Sequence, residues 1–160
     1  MKKFSYLFFL IGMCGIFSLM LTSYNQIRKN DRIINQMHFQ EQIPEYYIGY
    51  IEIDTLKLPL VYGATEKELN QNLVGISKYS TKDHLILAGH AIPAVFQCLY
   101  HISINEKIII YRNNDIITYY VDDYYITDSK NLSVYQNNGL TLITCINQEK
   151  RLIVHAKTAN

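Results

Sequence analysis

The sequence predicts an all-β domain with short helices, a closed or nearly closed barrel of about seven or eight short strands behind an apolar N-terminal helix. Three observations carry that prediction. Residues 4–27 contain no charged side chain, and Phe4 to Thr22 are almost wholly apolar. The rest of the chain breaks into short runs rich in Ile, Val and Tyr, residue types that pack well on a pleated surface. Those runs are separated by turn residues, and only two intervening stretches carry helical spacing.

The apolar run comes first. Its nineteen residues, at ~1.5 Å each in a helix, reach about the ~30 Å of a bilayer core. Lys2 and Lys3 precede it, as in a signal sequence. No small-x-small cleavage site follows, and Cys14, preceded by Gly12 and Met13, lies inside the run. A retained single-pass anchor therefore fits better than a cleaved signal peptide or a lipid-modified cysteine. Arg28, Lys29 and Arg32 balance Lys2 and Lys3, so the positive-inside count leaves orientation open. The expected divisions are a flank at residues 1–3, an anchor at 4–24, a polar juxtamembrane linker at 25–45 and a domain at 46–160. A helical stretch through Ile33, Ile34 and Met37 is expected in the linker, and Pro44 marks where the domain begins.

Composition bounds the domain. With 49% hydrophobic residues, 18% charged and a net charge of +1, the chain is neither disordered nor built for nucleic acid. The roughly 115 residues after the linker can bury one modest core rather than two.

Tyr47–Ile53 and Leu58–Val61 read as the opening strands. Thr65-Glu-Lys-Glu68 is a capping-box pattern, with Leu69 and Leu73 at helical spacing behind it. His84–Ala88 is a short apolar strand that ends at Gly89. Ile92–Ile102 predicts an amphipathic helix or part of one, with Pro93 near its first turn and Val95, Phe96, Leu99 and Ile102 on one face. Lys107–Tyr111 and Ile116–Tyr125 flank Asn113-Asn114-Asp115 and predict a β-hairpin, whose second strand continues through Val121–Thr127. Leu140–Cys145 and Arg151–Lys157 form the last hairpin, joined by a polar stretch.

That last hairpin holds the most informative pair. Five residues separate Cys145 from Arg151, so a symmetric hairpin sets the two opposite each other, with Cβ atoms about 4.5–5.5 Å apart. An arginine cannot serve as a base, but it can hold a carbonyl, stabilise an oxyanion and favour a thiolate. Spacing alone is equally consistent with an exposed strand-end arginine beside a buried cysteine. Of the other cysteines, Cys14 lies in the apolar run, and Cys98 is open to either a disulfide with Cys145 or a free thiol.

A cysteine nucleophile also needs an acid/base partner. His155 would pair with Thr141, four residues before Cys145 and thus about 10 Å or more along the sheet, which is too far for proton transfer. It reads as structural or surface, and His84 and His101 read as histidines with no role in the chemistry. His90 follows Gly89 at the end of a strand, where a side chain emerges at a barrel rim. By itself it reads more simply as a turn histidine. Asp115, Asp122, Asp123 and Asp128 read as solvated charges rather than a cation site.

Three motifs in order resemble those of the sortase family. Leu85-Ile-Leu-Ala-Gly-His90, with Phe96 and Leu99 following, is similar to its histidine motif. Leu140-Thr-Leu-Ile-Thr-Cys145 and Arg151-Leu-Ile-Val-His-Ala156 are similar to its cysteine and arginine motifs. Gly49–Ile53 and Leu58–Gly63 resemble its opening strands, and an N-terminal signal-anchor is typical of the family.

The resemblance implies an eight-stranded sortase barrel on the outer face of the cell membrane of a walled bacterium, with residues 1–3 cytoplasmic. It implies that Cys145 is the nucleophile, His90 the acid/base group and Arg151 the third catalytic residue, with Thr144 and Ala91 at the substrate groove. The implied reaction cleaves an LPXTG-like C-terminal sorting signal through a thioester. The protein is then transferred to an amine of a peptidoglycan precursor or a pilin subunit. The implied partners are surface proteins bearing that signal, with no nucleic acid. No metal or organic cofactor is called for, and calcium dependence is left open. Departures are Ala91-Ile92-Pro93 after the histidine, where many sortases carry a polar or basic residue, and a short stretch at Asp128–Asn138 without the long inserted helix of class B. The linker also shows no aspartate–aromatic lid and no second apolar span follows Arg151, unlike a typical class C enzyme.

Overall fold

The computed structural model describes residues 2–39, 46–112, 115–131, 133 and 138–159. Pro44, the Asn113-Asn114 turn centre and residues 132 and 134–137 of the Asp128–Asn138 stretch lie outside the described residues. Helix α1 runs from Lys2 to Phe39 and passes unbroken from the apolar run into the polar stretch after it. It contains a segment long and apolar enough to cross a membrane, with Leu10, Phe17 and Leu19 exposed along it. Its last turns are different: Asn30, Ile34 and Met37 are buried against the barrel, where α1 touches β1 and β2.

Eight strands follow: β1 Tyr47–Ile53, β2 Leu56–Tyr62, β3 Val74–Ile76, β4 His84–Ala88, β5 Lys107–Arg112, β6 Asp115–Asp128, β7 Gly139–Cys145 and β8 Lys150–Thr158. They close into a barrel in the order β1-β2-β3-β4-β7-β8-β6-β5. The β2–β3 and β4–β7 pairs are parallel, and the others are antiparallel. Closure pairs every strand on both sides over at least part of its length.

Alternation fills the core. Leu140 and Leu142 of β7, Leu152, Val154 and Ala156 of β8, and Leu87 of β4 point inward with Ile51, Leu58, Leu60 and Ile108. The intervening residues of β4, β7 and β8 therefore share the outer face. At Gly49, φ is +144° beside an irregularity in the β1–β2 register, and a Cβ there would sit 1.9 Å from the Tyr111 carbonyl oxygen. Only glycine fits that approach of β1 to β5.

Two expectations change. Ile92–Ile102 is not one amphipathic helix; it is a series of bends and turns ending in a short 3₁₀ helix, Gln97–His101. The expected face is nevertheless buried, because Val95, Phe96, Leu99 and Ile102 plug one end of the barrel. Tight turns bury residues at nearly the same three- and four-residue intervals as a helix does. Second, helix α2 after Thr65 stops at Leu69, and Leu73 leads instead into β3. The capping pair itself forms, with the Thr65 N–H donating to the Glu68 carboxylate at 3.1 Å.

Candidate active site

The site is built at one end of β4, β7 and β8. The β7–β8 hairpin has the expected register: Cys145 and Arg151 are Cα partners, and both are half-buried on the outer face. The short turn between them leaves Ile146 to Glu149 in solvent, so the pair sits at the open rim.

His90 arrives by a different route. β4 runs parallel to β7, with Leu87 beside Leu142 and Ala88 beside Ile143. The pairing continues past the strand end, where the Gly89 N–H donates to the Ile143 carbonyl at 3.2 Å. The buried Thr144 hydroxyl donates to the Gly89 carbonyl at 2.8 Å. Two residues per repeat then bring His90 level with Cys145 and onto the same outer face. A half-buried histidine just past β4 and a half-buried cysteine and arginine at the ends of β7 and β8 thus come to one rim, the sheet holding the backbones of Cys145 and Arg151.

Gly89 permits the turn that follows. A Cβ there would meet Phe96 at 2.8 Å and Val95 at 2.9 Å, so the plug can pack directly under the end of β4. The chain then folds back, and the Phe96 N–H donates to the His90 carbonyl at 3.0 Å.

The Arg151 Nη1 donates to the Asn147 carbonyl at 3.0 Å and the Lys150 carbonyl at 3.1 Å. Neither of these two hydrogen bonds engages Nε or Nη2. Thr144 points inward and acts on the Gly89 segment, whereas Ala91 is half-buried just past His90.

The other histidines and cysteines are elsewhere. His155 pairs with Thr141 and is buried, with its Nδ1 2.9 Å from the Thr141 hydroxyl and its Nε2 3.3 Å from the Tyr125 hydroxyl. His84 is buried on the same face, its Nε2 2.7 Å from that threonine hydroxyl. His101 is exposed on the 3₁₀ helix. All three cysteines are free thiols. Burial pushes the Cys98 thiol up to about 11, and it donates to the Val95 carbonyl, so it is a poor nucleophile. Among the described residues, no group of three or more His, Cys, Asp or Glu could hold a metal ion.

Two open cavities flank the rim. One, of about 510 Å³, is lined by Tyr62 to Thr65, Ile76 to Tyr79, Ala88 and Ile143. Ala88 and Ile143 are outer-face residues two positions before His90 and Cys145, so this groove leads straight to the site. The other, of about 460 Å³, is mostly apolar and lies beyond Cys145, between Ile146, Tyr100 and the Tyr124–Ile126 end of β6. Neither set of lining residues was predicted from the sequence. The tyrosines are scattered over separate strands and loops, and only barrel closure gathers them.

The chain from residue 48 to 159 matches the family model described as a sortase domain. Solved structures are similar in fold. Sortase C1 from Streptococcus agalactiae is 25% identical, with a TM-score of 0.64 over 83% of this chain and 76% of that one. Listeria monocytogenes sortase A is 20% identical, with a TM-score of 0.65 over 72% of this chain and 89% of that one. Clostridium perfringens sortase C, solved with the C-terminal cell wall sorting motif, is 20% identical, with a TM-score of 0.62 over 86% of this chain and 88% of that one. No match was found among curated proteins.

Proposed function

The chain belongs to the sortase family of cysteine transpeptidases, and from that premise we propose that Cys145, His90 and Arg151 carry out its reaction on an LPXTG-like sorting signal. The observation that carries this reading is the parallel β4–β7 register. It pairs Ala88 with Ile143, two residues before His90 and Cys145, while β8 pairs Arg151 with the same cysteine, and this supports the reading.

In the first step the Cys145 thiolate forms a bond to the carbonyl carbon of the signal. Arg151 donates to the tetrahedral oxyanion, and the carbon–nitrogen bond breaks as imidazolium His90 gives its proton to the departing amine. A thioester remains on Cys145. An incoming amine of a wall precursor or a pilin subunit then attacks that carbonyl, neutral His90 takes its proton, and the thiolate leaves. The groove at Ala88 and Ile143 takes the signal, its apolar floor and rim tyrosines suiting a short extended peptide. Ala91 borders the side from which the leaving amine departs, and Thr144 serves by fixing the Gly89 carbonyl next to His90. Helix α1 anchors the domain in the cell membrane with the barrel outside, where sorting-signal proteins are presented.

The test is direct. The full chain in detergent is incubated with a set of sorting-signal peptides, and Cys145 is examined by mass spectrometry for an acyl adduct. The adduct should form with at least one peptide, be absent in Cys145→Ala, and pass to an added amine such as triglycine. Absence of any adduct across the set overturns the transpeptidase reading. An adduct that only hydrolyses, with amine present, overturns the transfer step alone.

A further inference from the structure

We propose that Tyr100 is a positioning residue for the nucleophile. The proposal rests on the reading of Cys145 given above, and goes beyond it to a residue of the 3₁₀ helix that no motif marks. The Tyr100 hydroxyl donates to the Cys145 carbonyl at 2.8 Å, across 45 residues of sequence.

The geometry explains why such a donor is needed. In a parallel ladder, donors on one strand recur every two residues. After the Gly89 N–H has bonded the Ile143 carbonyl, the next donor in the pattern would be the Ala91 N–H, and its acceptor would be the Cys145 carbonyl. The chain has already bent away at Ala91 to present His90. The ladder therefore ends one rung early, at the residue that must be held most firmly. The phenol of Tyr100 takes that rung. Its ring stands at the edge of the apolar cleft while the neighbouring Leu99 is locked in the core, so the hydroxyl has a fixed base.

The same segment grips His90, because the Phe96 N–H bonds the His90 carbonyl at 3.0 Å. One short stretch of turns thus binds the backbone carbonyls of both the proposed acid/base residue and the proposed nucleophile. It holds both residues just beyond the last backbone rung between β4 and β7, the Gly89 N–H to the Ile143 carbonyl. Tyr100 touches no reacting atom; it acts through the backbone of Cys145.

Tyr100→Phe removes only the hydroxyl and keeps the ring in the cleft. Tyr124→Phe, in the same cleft, is the comparison. In the full chain, Tyr100→Phe should lower kcat for peptide acylation about tenfold with KM within about twofold, as expected when a nucleophile loses its fixed position. The melting temperature should stay close to that of the unaltered chain, and Tyr124→Phe should change neither constant. Hydrogen exchange at residues 144–147 should quicken by about the same factor in Tyr100→Phe, and exchange in β1 and β2 should not. An unchanged kcat and unchanged exchange, or an equal loss in Tyr124→Phe, overturns the proposal. If the unaltered chain forms no adduct with any peptide, the transpeptidase reading falls. Exchange at residues 144–147 then still decides whether Tyr100 holds the Cys145 backbone.

Discussion

Two histidine-bearing clusters lie along the outer face of the same sheet, two repeats apart along β7 and β8. At the rim are His90, Cys145 and Arg151; deeper along the strands are His84, Thr141 and His155. The deeper cluster is buried and closed on itself, its threonine hydroxyl lying between two imidazoles and Tyr125 capping one end. The rim cluster is half-exposed, adjoins two cavities, and holds an arginine whose two hydrogen bonds engage neither Nε nor Nη2. A histidine along this face is thus buried and bonded or half-exposed according to its distance from the strand end. Four residues of strand, about 13 Å, separate the two settings.

The comparison is broken most sharply by exchanging which histidine is removed. His90→Ala should cut the acylation rate about a thousandfold, within the usual range for an acid/base group, and leave the melting temperature nearly unchanged. His155→Ala should do the reverse. It should destabilise the domain by about 2 kcal/mol, because the Thr141 and Tyr125 hydroxyls lose a partner, while the stable fraction keeps its rate. Equal rate losses in the two variants would show that the clusters act as one. Arg151→Lys should follow at about a hundredfold, since a lysine keeps the charge but not the planar fork of donors. Recovery of full activity in Arg151→Lys would mean that charge alone suffices.

The smallest effect concerns pH. Burial holds the His155 imidazole below the usual histidine range, opposed by Asp123 and Asp122 and reinforced by His84 and Lys157. A depressed value means that the unfolded chain binds the proton more readily than the folded one. The stabilisation from neutral His155 is complete above the unfolded value of about 6.5 and is lost as pH falls through the folded value. The melting temperature should therefore drop by a few degrees below about pH 6.5, and His155→Gln should flatten that part of the curve.

How much of this was readable in the sequence depended on how local the pairing was. The Cys145–Arg151 register follows from a hairpin of known turn length, and the structure has it. The capping pair at Thr65 and Glu68 was equally local. β3 was not visible, because Val74–Ile76 is too short to alternate and owes its form to a parallel partner in β2. Nothing near His90 in sequence reveals that β4 lies beside β7, more than fifty residues away. Only the family motifs pointed there. Tyr100 gave no signal of any kind, since a hydroxyl that substitutes for a missing backbone donor can come from any residue the turn happens to deliver.

Helix α1 has a mechanical consequence. A loose tether of the same length would let the barrel tumble through a wide volume above its attachment point. Instead, Asn30, Ile34 and Met37 are packed on the barrel, and the Asn30 side chain donates to the Ala94 carbonyl at 3.5 Å, in the turns that follow His90. With α1 seated in a bilayer as proposed, the rim would ride at one altitude and one compass bearing. The domain would then work like a tool on a fixed mount, meeting only those peptide tails that emerge at its own height.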